Sequence, residues 1–136
     1  MWPIIPRSRT CFRWLISGTF RFPRTLGFAD TGELAQHFSD HASDFMAITE
    51  SQYEAMADWF LAKAKTAAMF ECIRMRGDRL RYDTLTNEFG IVSASGTIRT
   101  YFIPRPCASL PPGTRKIKCH KRPTNMDYVR DTCAQH

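Results

Sequence analysis

Four short runs between Met69 and Ile103, MFECIRM, RLRYDTL, FGIVSA and TIRTYFI, constrain this chain more than any other feature of it. Each is rich in Ile, Val, Phe, Tyr and Thr, with apolar residues recurring near every second position, as in half-buried β-strands. Gly77-Asp78, Thr86-Asn87-Glu88 and Ser95-Gly96 part them with turn chemistry. Connections this short cannot hold a parallel crossover, so the four strands are expected as an antiparallel meander.

Upstream of the meander the apolar period is 3.6 instead of 2. In DTGELAQHFSDHASDF, Thr31 is the expected N-cap and Glu33 favours the positive end of the helix dipole. Leu34, Phe38, His41 and Phe45 follow at helical spacing, with His37 beside them. In ITESQYEAMADWFLAKA, Thr49 and Gln52 have capping-box spacing. Tyr53, Met56, Ala57, Phe60 and Leu61 form an apolar stripe behind that cap. From Pro104 onward five prolines and a basic cluster predict an irregular segment, and NMDYVRDTC reads as one last short helix. The expectation is an α+β fold: two N-terminal helices packed on a four-stranded antiparallel β-sheet, with a short C-terminal helix.

Alternation then divides the strand residues between two faces. Ile73, Met75, Leu80, Tyr82, Ile91 and Ile98 are expected toward the two helices, and Arg74, Arg76, Arg79, Arg81 and Arg99 on the opposite face. A slip of one residue would exchange the faces. In the first strand, strict alternation sets Glu71 beside Ile73 and leaves Phe70 and Cys72 with the arginines.

Residues 1–27 show neither period, are broken by Pro3, Pro6 and Pro23, and carry five Arg without an acid. They read as an Arg-rich, poorly ordered leader, and residues 28–136 as a single domain. Net charge is +5 over residues 1–29, −5 over 30–65 and +6 over 66–136. A basic half beside an acidic one suits a phosphate-bearing partner. No apolar run approaches the ~20 residues of a membrane span, so no membrane partner is expected. The five Cys are scattered, odd in number and without a C-x-x-C, so free thiols are the default, with Cys72 a buried one.

The chemistry-bearing residues are His37 and His41, one helical turn apart and therefore on one face. An H-x-x-x-H pair on a helix is more often ordinary polar decoration than a site. A zincin would need Glu after the first His, where this chain has Phe38, and His120 with Cys119 brings no paired Cys spacing. No metal or other cofactor is expected. RNA cleavage without metal needs a base for the ribose 2′-proton, an acid for the leaving oxygen and cations for the phosphorane. The histidine pair, the strand arginines and the hydroxyls of Ser93, Thr100 and Tyr101 are residue types that fit those roles. Arg74, Arg76, Arg79, Lys116, Lys118, Lys121 and Arg122 would supply RNA-backbone contacts. A non-enzymatic nucleic-acid-binding module and a partner-binding protein remain the rival readings.

The ordered series LAQHFSDHASDF, ITESQYEAMADWFL and ECIRMRGDRLRYDTLTNEFGIVSASGTIRTYFIPRP resembles the C-terminal nuclease domains of bacterial polymorphic toxins. These belong to the barnase–EndoU–colicin–RelE-like group of ribonucleases. The resemblance covers residues 31–106 and extends to the closing PTNMDYVRDTC, while RKIKCHKR has no counterpart in the pattern. It implies a metal-independent endoribonuclease acting on RNA, often transfer RNA, with a cognate immunity protein or antitoxin. It further implies action in the cytoplasm of a producing or target bacterial cell, with secretion as part of a larger toxin as one route. By position, His37 and His41 become the general acid and base in either order. Arg81 and Arg99 become phosphate contacts, and Thr100 or Tyr101 the orienting hydroxyl. A decayed, inactive fragment of such a toxin is the remaining alternative.

Overall fold

The computed structural model describes residues 24–113 and 118–135, so Lys116 and the leader as far as Pro23 lie outside the described residues. The elements run β1 (Gly27–Phe28), α1 (Thr31–His41), a 3-10 turn (Ala42–Phe45), α2 (Glu50–Ala62), β2 (Met69–Ile73), β3 (Arg79–Asp83), β4 (Phe89–Val92), β5 (Thr97–Phe102), a second 3-10 turn (Cys107–Ser109) and α3 (Asn125–Ala134). The class is α+β, with one sheet in the order β1-β5-β4-β3-β2.

β2 to β5 form the antiparallel meander, but the sheet has a fifth strand and is mixed. β1 lies parallel to β5, pairing Gly27 with Thr97 and Phe28 with Ile98. Two residues with no alternation around them carry no strand signal in the sequence. β1 is fixed from α2 instead: Asp58 accepts from Thr25 N and Oγ1 (2.6 and 2.5 Å), and Glu54 accepts from Phe28 N (3.0 Å). Gly27 has φ +81°, and a Cβ there would sit 2.6 Å from the Glu54 carboxylate, so only glycine suits the position. Thr25 to Gly27, grouped with the leader by composition, are thus built into the domain.

Helix entry is set by side-chain caps. The N-cap of α1 is Asp30, one residue before the expected Thr31, and its carboxylate accepts from Glu33 N at 2.8 Å. α2 has the capping box, with Thr49 Oγ1 accepting from Gln52 N (3.1 Å) and Gln52 Oε1 accepting from Thr49 N (3.2 Å). Tyr53, Ala57, Phe60 and Leu61 of its stripe are buried. Each large side chain among them is worth about 1.5–3 kcal/mol of burial. α2 lies so close to β4 that a Cβ on Gly90 would approach Leu61 to 3.0 Å.

Both faces of the sheet are covered, which overturns the expected division into an apolar and an arginine face. α1 and α2 cover a core of Phe28, Tyr53, Phe60, Leu61, Val92, Ile98 and Tyr101. α3 covers the other face, where Val129 meets Leu80, Tyr82, Phe89 and Ile91, with Phe70 and Cys72 beside them. Leu80, Tyr82 and Ile91 therefore face α3 and not the N-terminal helices, and Ile73 and Met75 are exposed. Arg79 and Arg81 point under α2, where its last carbonyls lack helical partners. Arg81 Nη1 donates to the carbonyls of Phe60 (2.8 Å) and Lys63 (2.7 Å), and Arg79 Nη2 to that of Leu61 (2.6 Å). Glu71 neutralises both guanidiniums, accepting from Arg81 Nε (2.5 Å) and Arg79 Nη1 (3.1 Å).

Ile98 does face the N-terminal helices as expected, on the opposite face from Leu80, Tyr82 and Ile91, because β5 is bulged. Ile91 pairs with Thr100 but Val92 pairs with Ile98, leaving Arg99 as the extra residue. The bulge resets the alternation, so Ile98 and Tyr101 share the α1/α2 core while Phe102 packs toward α3. The four cysteines among the described residues are also not free thiols, while Cys11 lies outside those residues. Cys72 is bonded to Cys133, tying β2 to α3, and Cys107 to Cys119, so an absent C-x-x-C spacing was no guide to pairs 61 and 12 residues apart.

Candidate active site

β1 covers only Thr97 and Ile98 of β5, and among the described residues the rest of that edge has no strand beside it. α1 begins three residues after β1 and brings its histidine face to this edge. The His41 ring stacks on Phe102 (centroids 4.9 Å) and the His37 ring on Phe28 (5.1 Å), with 6.0 Å between the two imidazoles. The helical spacing read from the sequence thus does put both rings on one face.

A cavity of about 320 Å³ opens between α1, β5 and α3, lined by His37, Asp40, His41, Thr100, Phe102, Pro104, Arg105, Lys118, Cys119, His120 and Tyr128. A second hollow of about 370 Å³ adjoins it and shares Asp40, His41, Phe102, Arg105 and Lys118. His41 therefore stands between two pockets. Its ring makes no hydrogen bond among the described residues. The Thr100 hydroxyl is likewise without a hydrogen bond among them.

Burial is the main influence on both histidines and lowers their pKa below 6.5. For His37 it outweighs the pull of Glu33 and Asp40, and for His41 that of Asp44 and Asp40. Lys118 pushes both in the same direction as burial. Both rings are thus neutral at pH 7. His37 Nε2 lies 3.6 Å from Glu33 Oε1, while its Nδ1 is enclosed with no hydrogen-bond partner.

The cations of the cavity are held by carboxylates. Lys118 Nζ lies 2.9 Å from Asp40 Oδ2, and this bond, with one from Gln36, keeps the Asp40 carboxyl below its ordinary pKa. Arg105 Nη1 lies 2.9 Å from Asp44 Oδ1. His120 has both ring nitrogens engaged. Nδ1 accepts from Arg122 N (3.2 Å), which assigns the proton to Nε2 and makes it the donor to Asn125 Oδ1 (2.8 Å). Its ring stacks on Tyr128 at 4.6 Å, so it builds the wall and has no free nitrogen for proton transfer.

Of the residues singled out by sequence, His37, His41, Thr100 and Lys118 meet at this cavity. Arg81 is buried under α2, and Arg99 pairs with Asp78 (3.0 Å). Tyr101 is enclosed in the core, its hydroxyl donating to Glu88 at 2.5 Å, and burial carries its pKa far above the ordinary phenol value. Arg74 lies near Asp78 and donates to the Gln135 carbonyl, Arg79 sits under α2, and Arg122 pairs with Asp131 (2.8 Å). Arg76 and Lys121 are exposed.

Arg105, His120 and Asp40 complete the cavity, and Asp44 lines the adjoining hollow, without having been singled out as site residues. The Cys107 and Cys119 positions bracketing a proline-rich stretch were the available signal, since the bond between them returns Lys118 and His120 to Arg105. A larger groove of about 500 Å³, where Ser93 lies, is lined by Arg24, Arg79 and small residues and has no group that titrates near neutrality. Among the described residues, no three His, Cys, Asp or Glu side chains are grouped to hold a metal ion, and no helix is long and apolar enough to cross a membrane. No protein-family model matches the chain, and no curated protein matches it.

Proposed function

We propose that this protein is a toxin-like, metal-independent endoribonuclease that cleaves RNA by histidine acid–base catalysis. The observation that carries the reading is the convergence of His37, His41, Thr100, Arg105 and Lys118 on one cavity. A phosphodiester anion entering between Lys118 and Arg105 exchanges its charge with those of Asp40 and Asp44, and the Thr100 hydroxyl donates to a non-bridging oxygen. The anion raises the pKa of both imidazoles by direct attraction, so one of them takes up a proton on binding. Glu33 favours that proton on His37, which serves as the acid. His41, with its ring nitrogens uncommitted, serves as the base.

The reaction then balances. His41 removes the ribose 2′-proton, the 2′-oxygen bonds to phosphorus, and the bond to the 5′-oxygen breaks as His37 protonates it. The products are a 2′,3′-cyclic phosphate and a 5′-hydroxyl. The reading includes a cognate immunity protein or antitoxin and action in a bacterial cytoplasm, which rest on the resemblance in the sequence.

Incubating the full chain with total bacterial RNA in EDTA tests the reading. Discrete cleavage that survives chelation and falls by at least about 10²-fold in His41→Ala and His37→Ala is expected. RNA that is bound by the folded protein but left intact, with both variants binding equally, would replace the enzyme with a nucleic-acid-binding module.

A further inference from the structure

We propose that the Cys107–Cys119 disulfide is a redox control on the histidine cavity, opened by thiol–disulfide exchange with a dithiol reductant, and that its reduction removes Lys118 from the cavity wall. The inference rests on the same cavity as the ribonuclease reading and adds its regulation. Cys119 lines that cavity, between Lys118 and His120. The bond draws its Cα to 4.9 Å from that of Cys107, two residues after Arg105.

The three neighbouring residues are held unequally. His120 has a second set of ties: its N–H donates to the Arg105 carbonyl (2.9 Å), and its own carbonyl accepts from Cys107 N (2.7 Å). Among the described residues Lys118 has only its ion pair with Asp40, and its side chain is 69% exposed. An exposed ion pair is too weak to fix a segment of chain by itself. The disulfide is therefore what keeps Lys118 at the cavity, whereas His120 stays on the wall without it.

The two disulfides also differ in access. Cys119 is exposed, while Cys72 and Cys133 are both partly buried, with Cys72 packed on the α3 core. A thiolate of the reductant attacks Cys119 Sγ, forming a mixed disulfide and releasing Cys107 as thiolate, which takes a proton from water. The second thiol of the reductant, as thiolate, attacks its own sulfur in the mixed disulfide, releasing the Cys119 thiolate to be protonated. The reductant leaves as its cyclic disulfide, so two electrons pass to the protein.

The test compares three samples of the full chain: oxidised, treated with dithiothreitol, and a Cys107→Ser/Cys119→Ser variant that retains Cys72–Cys133. Inorganic phosphate binding and the NMR titration of the His37 and His41 rings are read in each. On opening of the bond, phosphate affinity is expected to fall about tenfold, as for loss of one charge-assisted contact. Both ring titrations are expected to move upward, because Lys118 no longer opposes protonation. A phosphate Kd within about twofold and unmoved titrations would overturn the proposal. If the variant does not fold, the reduced wild type gives the same comparison. If phosphate binds to no sample, the ring titrations decide. Absence of RNA cleavage in every sample would defeat the ribonuclease reading and leave the redox comparison intact.

Discussion

Arg81, buried, and Glu71, half-buried, face each other across β3 and β2 as an ion pair, Nε to Oε2 at 2.5 Å, beneath the C-terminal end of α2. The pair is an internal cap. The guanidinium takes the helix carbonyls that no backbone N–H can reach, and Glu71 balances its charge. Replacing Arg81 with Leu leaves carbonyls and a carboxylate without this donor, and leaving such groups unsatisfied costs about 1–3 kcal/mol. The urea midpoint of Arg81→Leu should fall accordingly. A loss under about 1 kcal/mol would mean that water replaces the guanidinium at no real cost.

Stability should decline as pH falls through the histidine range. Burial holds the folded pKa of His37 and His41 below 6.5, despite Glu33, Asp40 and Asp44 and with help from Lys118. Between the folded values and 6.5 the unfolded chain binds more protons, so stability present above 6.5 is lost as pH drops through that window. Urea denaturation across pH should show this loss in the wild type and not in the His37→Ala/His41→Ala double variant. A parallel decline in both proteins would assign it to carboxylates instead.

Lys118 should be read in the salt dependence of RNA binding. If its charge neutralises one backbone phosphate, Lys118→Ala flattens the slope of log affinity against log salt by about 0.7 for a single strand. Lys121→Ala, exposed and outside the cavity, gives the comparison for a general surface charge. Equal slopes for Lys118→Ala and the wild type would exclude Lys118 from phosphate contact.

The capping box offers a test independent of function. Thr49→Ala removes the acceptor for Gln52 N and should cost about 1 kcal/mol in thermal or chemical unfolding. Gln52→Ala exposes the Ile48 and Thr49 N–H groups, to which Gln52 Oε1 is now bound at 2.8 and 3.2 Å, and should destabilise in the same direction.

Signals in the sequence are legible where the physics is local. The Thr49 cap, the α2 stripe and the turn-separated strands depend on residues a few positions apart, and the structure has them. The two faces of the sheet were not legible, because which face is buried depends on where α3 returns. Val129 decides the environment of Leu80 from 49 positions away. The bulge at Arg99 has the same character: TIRTYF breaks strict alternation, but only its pairing with β4 shows where the phase shifts. Within the site, the His37/His41 face followed from helix geometry alone. Arg105 and Lys118 did not, since a disulfide and an irregular segment bring them to α1.

β1 makes its two backbone pairings with residues 70 positions later, so it cannot add to a sheet that does not yet exist. Closing so long a loop for two pairs is unfavourable until β4 and β5 stand as a template, by which time the nearby caps on α2 are in place. This first strand is then the last to join during folding. Amide exchange at Phe28 should accordingly record the earliest opening of the native sheet, ahead of the meander that receives it.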